Sequence, residues 1–526
     1  MMGGAAGLPG TWRSARIAEV VSLNPTLDKA GIPDDLEISF VPMPAVQAGS
    51  GSIDVGGKRK FSEVKKGYTP FLEGDVLFAK ITPCMENGKM AIVPEVRNGL
   101  GFGSTEFHVL RAPTGINAKY VYYYVSSQEF RREAEHNMSG AVGQRRVTTP
   151  YLSACVIPLA PTHEQIRIVT KIEELFSDLD KGVENLKTAR AQLKVYRQAL
   201  LKHAFEGKLT AQWRAENQDK LETAEALQKR IQQERTQRYQ QQLADWEAAG
   251  EQGGTPKPLK PLPPLTSDEL IELSELPKEW MWCKWENILH HDKGSFKRGP
   301  FGSTLKKEMF VKSGYKVYEQ YCPINDDCSF ERYYISDEKY QELEGFSVRA
   351  DDFLISCSGV TLGRITQVPQ KFKKGIINQA LLRVRINAVV YEFNFFKMLF
   401  RSRYFQKRIF ESSTGTAIPN VKGVADLKAI PVPLCSLLEQ QQILVELGLR
   451  LSVVDQLDQT ITTALQQSEA MRQSILKKAF SGQLVPQDPR DEPAAALLAR
   501  IKAERAAGST SGTSGTKQRG AKRVAA

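Results

Sequence analysis

Several short motifs in this 526-residue chain contain residue types that are used in catalysis, but each lacks a feature that the chemistry requires. The glycines of GLGFG at 99–103 have neither the GxGxxG spacing nor the following helix of a dinucleotide-binding loop, and no GxxxxGK[ST] phosphate loop occurs. NPTL at 24–27 differs from the Asn/Asp-Pro-Pro-aromatic motif with which amino-methyltransferases hold a target amine. Asp75 and Lys80 could belong to a metal nuclease, although the charged end of an edge strand explains them better. The sequence predicts no catalytic residue.

Cysteine and histidine residues do not form a metal-binding pattern. Cys322 and Cys328, with the adjacent His290 and His291, do not have a standard zinc-ligand spacing, so we expect no metal site. The seven cysteines are an odd and unpatterned set, which is typical of reduced thiols in a cytoplasmic protein. No run of about 18 apolar residues is present, so no membrane span is expected. The first residues also lack a secretory signal.

Basic residues are concentrated in two segments that also contain aromatic residues. FKRGPFGSTLKKEMFVKSGYK at 296–316 has six Lys or Arg and one Glu, and KMLFRSRYFQKRIF at 397–410 has five Lys or Arg and no acidic residue. The whole chain has a formal net charge of +11. Such segments favour a polyanionic partner, and nucleic acid phosphates are the obvious one.

An internal repeat organises the chain. KHAFEGKLT at 202–210 matches KKAFSGQLV at 477–485. Without any gap, the offset that superposes these two segments also places Glu164 on Glu439 and Asp180 on Asp455. Leu-Pro-x-x-Trp at 8–12 recurs at 276–280. The chain therefore consists of two similar halves.

Each copy of the repeat predicts a long helix with an apolar seam. Apolar residues recur every seven positions, a spacing that packs helix against helix. The seam residues are Ile172, Leu179, Leu186, Leu193 and Leu200 in the first copy, and Leu447, Val454, Ile461, Ser468 and Ile475 in the second. A helix over 164–204 would be about 60 Å long.

The repeated nonapeptides have two compatible interpretations. Gly207 and Gly482 occupy the position where a helix ends with a left-handed residue, and the neighbouring apolar residues can close a contact over that end. The same motif could also dock two copies of one partner. The candidate docking residues are Phe205, Leu209, Phe480 and Leu484.

The remaining segments complete the predicted domain organisation. Short β-prone runs mixed with helical stretches predict mixed α/β domains at 8–150 and 276–424, with helical spacers at 151–210 and 425–489. The segment 211–275 reads as a solvated charged helix followed by a stiff proline-rich linker. The basic, Gly/Ser-rich segment 490–526 reads as a disordered tail.

The ordered and duplicated motifs resemble the DNA-specificity subunits of type I restriction-modification systems. They are Leu-Pro-x-x-Trp at the head of each half, IPLAPTHEQ at 157–165, IPVPLCSLLEQ at 430–440 and AFxGxL at each helix end. The segments 88–107 and 301–320 are similar to parts of that family's target recognition domains. The insert 211–275 is longer than a minimal linker.

The resemblance implies an α+β fold with two target recognition domains separated by two long antiparallel coiled-coil helices in a pseudo-twofold repeat. Double-stranded DNA, two modification subunits and restriction subunits are the implied partners. The subunit itself would be non-catalytic and would bind no cofactor, because S-adenosylmethionine, ATP and Mg²⁺ belong to the partner subunits. It would direct these enzymes to an asymmetric bipartite DNA target.

Polar and basic residues of the two domains are the candidate DNA contacts. They are Lys80, Thr82, Lys89, Gln144, Arg145 and Arg146 in the first domain, and Lys297, Arg298, Ser303, Thr304, Lys306 and Lys307 in the second. Each could instead be a solvated surface residue. A coiled-coil scaffold, or a component of an orphan DNA-modification enzyme, is the alternative function.

Overall fold

The structure, a computed structural model, describes residues 7–251, 254–256, 264–292, 294–301, 304–410 and 421–511. The chain forms two compact units. Unit 1 comprises Met1–Lys187 and Ile461–Ala526, and unit 2 comprises Thr188–Thr460. Each unit therefore contains one mixed domain together with parts of both repeated helices.

Strands and helices alternate irregularly along both units. The strands are β1 Arg13–Arg16, β2 Ser22–Leu23, β3 Glu37–Val41, β4 Lys58–Lys60, β5 Thr69–Phe71, β6 Val76–Ala79, β7 Met90–Ile92, β8 Gly101–Gly103, β9 Phe107–Arg111, β10 Val156–Leu159, β11 Met281–Lys284, β12 Phe296–Arg298, β13 Tyr315–Tyr318, β14 Tyr334–Ile335, β15 Phe353–Ser356, β16 Ile365–Gln367, β17 Gly375–Ile377, β18 Leu381–Val384 and β19 Pro431–Leu434. The helices are α1 Ile17–Val20, α2 Phe61–Val64, α3 Ala118–Ser126, α4 Gln128–His136, α5 Thr149–Ala154, α6 Thr162–Phe205, α7 Ala211–Glu216, α8 Ala224–Ala248, α9 Ser267–Ile271, α10 Tyr321–Asn325, α11 Asp337–Glu342, α12 Phe393–Arg401, α13 Arg403–Phe410, α14 Val424–Lys428, α15 Leu437–Phe480 and α16 Ala494–Ser511.

The domains of the two units share one topology. Unit 1 has sheets in the orders β2-β9-β6-β7 and β4-β3-β8-β5, and unit 2 has β12-β18-β15-β16 and β14-β13-β17. Each domain has one parallel pairing, β3 with β8 in unit 1 and β13 with β17 in unit 2. In each, the first strand pairs with the last, β1 with β10 and β11 with β19. The predicted α+β fold with an internal repeat is confirmed, although β5 has no counterpart in unit 2 among the described residues.

A buried aspartate forms an ion pair with an arginine at the same place in both domains. Asp75 accepts two hydrogen bonds from Arg111, at 2.7 and 2.8 Å, and Asp352 accepts two from Arg385, at 2.7 and 3.2 Å. Each aspartate precedes an inner strand of its sheet, β6 or β15. The interpretation of Asp75 as the end of an edge strand is therefore wrong. Each carboxylate is paired, because an unpaired charge at a buried position would cost folding free energy.

The long helices match at the predicted offset, since Thr162–Phe205 and Leu437–Phe480 begin and end at repeat-related positions. Gly207 and Gly482 follow their ends with φ of 69° and 72°. At the first end Lys208 N–H bonds the His203 carbonyl at 2.9 Å, and at the second Gln483 N–H bonds the Lys478 carbonyl at 2.9 Å. These are Schellman-type ends. The prediction of a left-handed glycine terminator is confirmed at both sites.

Within each unit, segments of the two long helices pack antiparallel along the predicted seam. Every seam residue is buried or half-buried. Asp180 and Arg472 form an ion pair in unit 1, and the repeat-related Asp455 and Arg197 form one in unit 2. Asp180 corresponds to Asp455 in the repeat, and Arg197 corresponds to Arg472, so the repeat in sequence produces a repeated contact.

A buried glutamate at the head of each long helix joins remote segments of its own unit. In unit 1, Glu164 accepts hydrogen bonds from the Trp12 indole at 2.9 Å and from the Gln487 amide at 2.6 Å. In unit 2, Glu439 accepts from the Trp280 indole at 2.8 Å and pairs with the Arg214 guanidinium at 2.8 Å. The tryptophans of the two Leu-Pro-x-x-Trp motifs are thereby fixed against the helices.

A helix is present within the predicted charged helix of 211–275, but the burial of the helices after both glycine terminators was not predicted. The start of α8 is not solvated, because Ala224, Leu227 and Ile231 are buried in unit 2. The predicted disordered tail is also wrong for α16, whose Ala494, Leu497 and Ile501 are buried in the core of unit 1. The sequences A-x-A-L-x-x-R-I-x-x-E-R at 224–235 and 494–505 match, and this further repeat was the signal that the sequence analysis missed. Residues 512–526 lie outside the described residues.

The domain boundaries at 150 and 424 fall a few residues early. β10 and β19 lie beyond them, yet they pair with β1 and β11 and so belong to the domains. In the part of the chain that the structure describes, no helix is long and apolar enough to cross a membrane.

The two helix-head glutamates should respond differently to neutralisation. In Glu439→Gln the Arg214 guanidinium, whose side chain is 9% exposed, would lose its buried counter-charge. We expect a loss of about 3 kcal/mol or more in the free energy of unfolding. Glu164 accepts from neutral donors, and burial raises its pKa, so ionising it costs folding free energy as the pH rises. We expect Glu164→Gln to cost only about 1 kcal/mol near neutral pH.

Differential scanning calorimetry of the two variants measures this contrast, each beside the wild-type chain in the same buffer. A larger loss for Glu164→Gln than for Glu439→Gln, or equal losses, would contradict this account of the two sites.

Candidate nucleic-acid interface

The six candidate residues of unit 1 lie on two segments that the fold brings together. The Thr82 N–H bonds the Arg145 carbonyl at 3.0 Å, and the Val147 N–H bonds the Lys80 carbonyl at 2.8 Å. The carbonyl of Lys89 accepts a hydrogen bond from the Ala79 N–H at 3.1 Å. Residues 79–89 and 139–147 thus form one continuous surface, which we call the first basic surface.

The side chains on the first basic surface differ in their freedom to bind a ligand. Arg146 is held by Glu106 at 2.9 and 3.0 Å, and this guanidinium lowers the pKa of Glu106. Thr82 donates to Glu86 at 2.8 Å, and the Lys89 ammonium donates to the Met43 carbonyl at 3.2 Å. Gln144 is exposed and Arg145 is half-buried. Arg146 therefore has an intramolecular role that its position in the sequence did not indicate.

The candidate residues of unit 2 divide into a structural and an exposed group. The Lys297 ammonium lies 4.1 Å from the centre of the Phe346 ring, and Arg298 donates to the carbonyls of Val421 and Lys422, both at 2.9 Å. Lys306 and Lys307 are exposed at the start of a short 3-10 helix.

The buried Leu305 anchors the segment that carries these two lysines. The half-buried Thr304 donates its N–H to the Phe301 carbonyl at 2.9 Å. Ser303 lies outside the described residues. Of this set, Lys306 and Lys307 present the most accessible charge.

The four candidate docking residues pack within their own units. The Phe205 ring is 3% exposed and lies 5.2 Å from the ring of Phe395. Phe480 lies 5.1 Å from Tyr120 and 5.0 Å from Tyr124, measured between ring centres.

Leu209 packs against the core of unit 2 and Leu484 against that of unit 1. These contacts explain the residues as parts of helix ends that are covered by their own domains. Docking of a partner at these ends remains a prediction, and the Phe205 ring is already enclosed by its own chain.

Two histidines and an aspartate form a cluster in unit 2. Ligand atoms of His290, His291 and Asp292 lie within 4.8 Å of one another. The Asp292 carboxylate already pairs with Arg349 at 2.9 Å, and Arg238 lies 3.2 Å from His290 Nε2. Burial lowers the pKa of His291 to about 4. The surrounding guanidinium groups make this an unfavourable place for a metal cation.

Comparisons with known proteins point to one family. Residues 9–191 match the family of the type I restriction modification DNA specificity domain. The EcoAI specificity subunit of a type I restriction enzyme from Escherichia coli is 31% identical over 63% of this chain and 61% of that subunit. The EcoEI specificity subunit from Escherichia coli is 30% identical over 54% of this chain and 51% of that subunit. The alignments thus span about three-fifths and one-half of these relatives' lengths.

Residues 9–191 of the chain are therefore similar to the DNA specificity domain of type I restriction-modification systems.

Two solved structures share the fold of this chain. A chain from a study of complex assembly and conformational transition of the type I R-M system has a TM-score of 0.63 at 18% identity, covering 91% of this chain and 99% of that one. The HsdS subunit from Thermoanaerobacter tengcongensis has a TM-score of 0.51 at 18% identity, covering 92% and 100%. At this level of identity, the comparison shows a shared fold alone.

Removing Lys306 and Lys307 should weaken DNA binding by the assembled complex without changing its sequence preference. If both ammonium groups neutralise phosphates, Lys306→Ala/Lys307→Ala should lower the slope of log K against log salt by roughly two. A control with the same loss of charge is Lys220→Ala/Lys278→Ala, which removes two exposed lysines that flank α8 in sequence. Fluorescence anisotropy over a series of salt concentrations gives both slopes. Equal slopes in the two double variants would place Lys306 and Lys307 off the DNA.

Replacing Phe480 should destabilise unit 1, because its ring packs against two tyrosines. Because the Phe480 side chain is only half-buried, Phe480→Ala should cost about 2 kcal/mol, less than the loss expected for an enclosed ring. Calorimetry measures the loss, and Met471→Ala, at an exposed position of the same helix, is the control. Native mass spectrometry of the complex then tests docking, since loss of a partner by a variant that remains folded supports the docking interpretation. An unchanged melting profile would contradict the packing contact.

Proposed function

We propose that this chain is the DNA-recognition subunit of a type I restriction-modification complex. It would bind an asymmetric, bipartite target in double-stranded DNA and direct modification and restriction subunits to that target. The observation that carries the proposal is the presence of two domains with one topology and different surfaces in a chain that is similar to type I specificity subunits. The relatives named above are specificity subunits of type I restriction enzymes.

Different surfaces on a shared topology support two unlike half-sites. The first basic surface, whose first segment follows β6, carries Gln144 and Arg145, whereas the exposed candidate lysines of unit 2, Lys306 and Lys307, lie between β12 and β13. A symmetric dimer would place identical side chains on both half-sites and would read a palindrome. Two diverged domains in one chain present different side chains to the bases, so the two half-sites need not be related in sequence.

The repeat also supports two copies of the modification subunit. The helix heads at Glu164 and Glu439, and the ends at Gly207 and Gly482, are equivalent in geometry. A partner that recognises one set would recognise the other. The chain itself would have no catalytic residue and bind no cofactor, so S-adenosylmethionine, ATP and Mg²⁺ would be bound by the partner subunits in the cytoplasm.

Exchanging one domain should change one half of the target. The exchanged block should run from β1 to β10, residues 13–159, because these paired strands must move together. Replacing it with the matching block of a relative should alter one methylated half-site and leave the other half and the gap intact. The reciprocal exchange of β11 to β19, residues 281–434, should alter only the other half.

Long-read detection of N6-methyladenine in cells that carry each chimera with its modification subunits gives the result. The purified chain alone, incubated with S-adenosylmethionine and DNA, should transfer no methyl group. A single exchange that rewrites both half-sites, or neither, would contradict the proposal.

A further inference from the structure

A short hairpin projects from the first basic surface. Ser139 and Arg146 exchange both backbone hydrogen bonds, at 3.0 and 2.8 Å, and the turn is closed by the Gln144 N–H on the Ala141 carbonyl at 2.9 Å. Gly140 and Gly143 have φ of 124° and 79°, so they supply conformations that other residues rarely adopt. We call residues 139–146 the finger.

The base of the finger is fixed, whereas its tip is in water. Arg146 also bridges Ile81, and the Arg145 carbonyl accepts the Thr82 N–H at 3.0 Å, so the second strand of the finger is attached to the domain. Val147, directly after the finger, is fully buried. Val142 at the tip is fully exposed. The tip of this anchored hairpin therefore presents the exposed side chains of Val142 and Gln144 to a binding partner.

The charges around the finger suit a nucleic acid. Arg145 has no ion pair within the described part of the chain, and Lys80 lies beside it in the paired segment. The negative charge of Glu106 is compensated by Arg146, which leaves the base of the finger with cations available for phosphates. The Glu86 carboxylate accepts the Thr82 hydroxyl at 2.8 Å.

The tip carries the two kinds of group that read base edges. A primary amide such as that of Gln144 can donate to N7 and accept from N6 of adenine, and an apolar side chain such as that of Val142 can contact the methyl group of thymine. A two-stranded ribbon also fits the major groove, which is about 12 Å wide. Arginine and lysine at the base would meanwhile lie against the backbone.

We propose that Val142 and Gln144 are specificity-determining residues that read base edges in the half-site bound by unit 1, while Arg145 and Lys80 hold its phosphates. This inference rests on the proposed function and adds to it a division between residues that read sequence and residues that supply affinity. The tip is built by the sequence S-G-A-V-G-Q, in which only Gln144 was a candidate from the sequence.

The test uses Val142→Ala and Gln144→Ala in the assembled complex. Each should allow methylation of sites that differ from the wild-type target at one or two adjacent positions of one half-site. The ratio of methylation rates on cognate duplexes and on singly substituted duplexes should fall roughly tenfold. Arg145→Ala should slow methylation of all duplexes and leave that ratio unchanged.

The matched control is Val360→Ala, because Val360 is a fully exposed valine in a loop of unit 2. It should leave the unit 1 half-site as selective as in the wild type. Val142, Gln144 and Val360 are exposed and Arg145 is half-buried. The melting temperature of each variant establishes that it folds.

Wild-type selectivity in both Val142→Ala and Gln144→Ala would overturn this inference, while the domain exchange could still assign one half-site to unit 1. Relaxation of the half-site read by unit 2 would also overturn it. A wild-type complex that methylates no bipartite sequence would overturn the proposed function, and this inference with it.

Discussion

The buried glutamate at the head of each long helix is the interaction on which each unit depends. Glu164 and Glu439 are both 1% exposed, and each accepts the indole N–H of the tryptophan that begins its domain. A second donor comes from the segment that follows the end of the other long helix, Gln487 for Glu164 and Arg214 for Glu439. A carboxylate in such a place must be satisfied by hydrogen bonds, so three remote segments of chain are forced to meet. The position of each domain against its helix segments follows from that requirement.

Features with local causes could be predicted from the sequence. The heptad pattern predicts the length of α6 and α15, and the glycine after each helix predicts its left-handed end. The structure has both long helices and a positive φ at both glycines. The mixed character of the domains followed from short β-prone runs. The burial of α8 and α16 was missed because each displays few apolar side chains in a polar or alanine-rich sequence. The match between segments 224–235 and 494–505 would have indicated that both are buried helices.

The candidate interface shows a different limit. Composition located the basic residues, but it could not show which cations are already paired. Arg146 is paired with Glu106, in the turn before β9, and Arg298 donates to carbonyls of a segment much later in the chain. These partners are set by strand pairing and not by local sequence, so only the fold separates them from exposed residues such as Lys306. The finger was likewise hidden, because its projection depends on the bridge between Ser139 and Arg146.

The ion pairs of the long helices have a consequence for the origin of the chain. Asp180 and Arg197 lie on α6, and Asp455 and Arg472 lie on α15 at the same spacing. Each helix therefore carries both halves of the contact, and two copies of one such helix, running antiparallel, would form both pairs at once. Such an interface is isologous, as in a twofold homodimer. If a half-length ancestor was duplicated and fused, its helix could pack against its own copy without any new contact residues. The surfaces of the two domains could then diverge while the helix contact was kept.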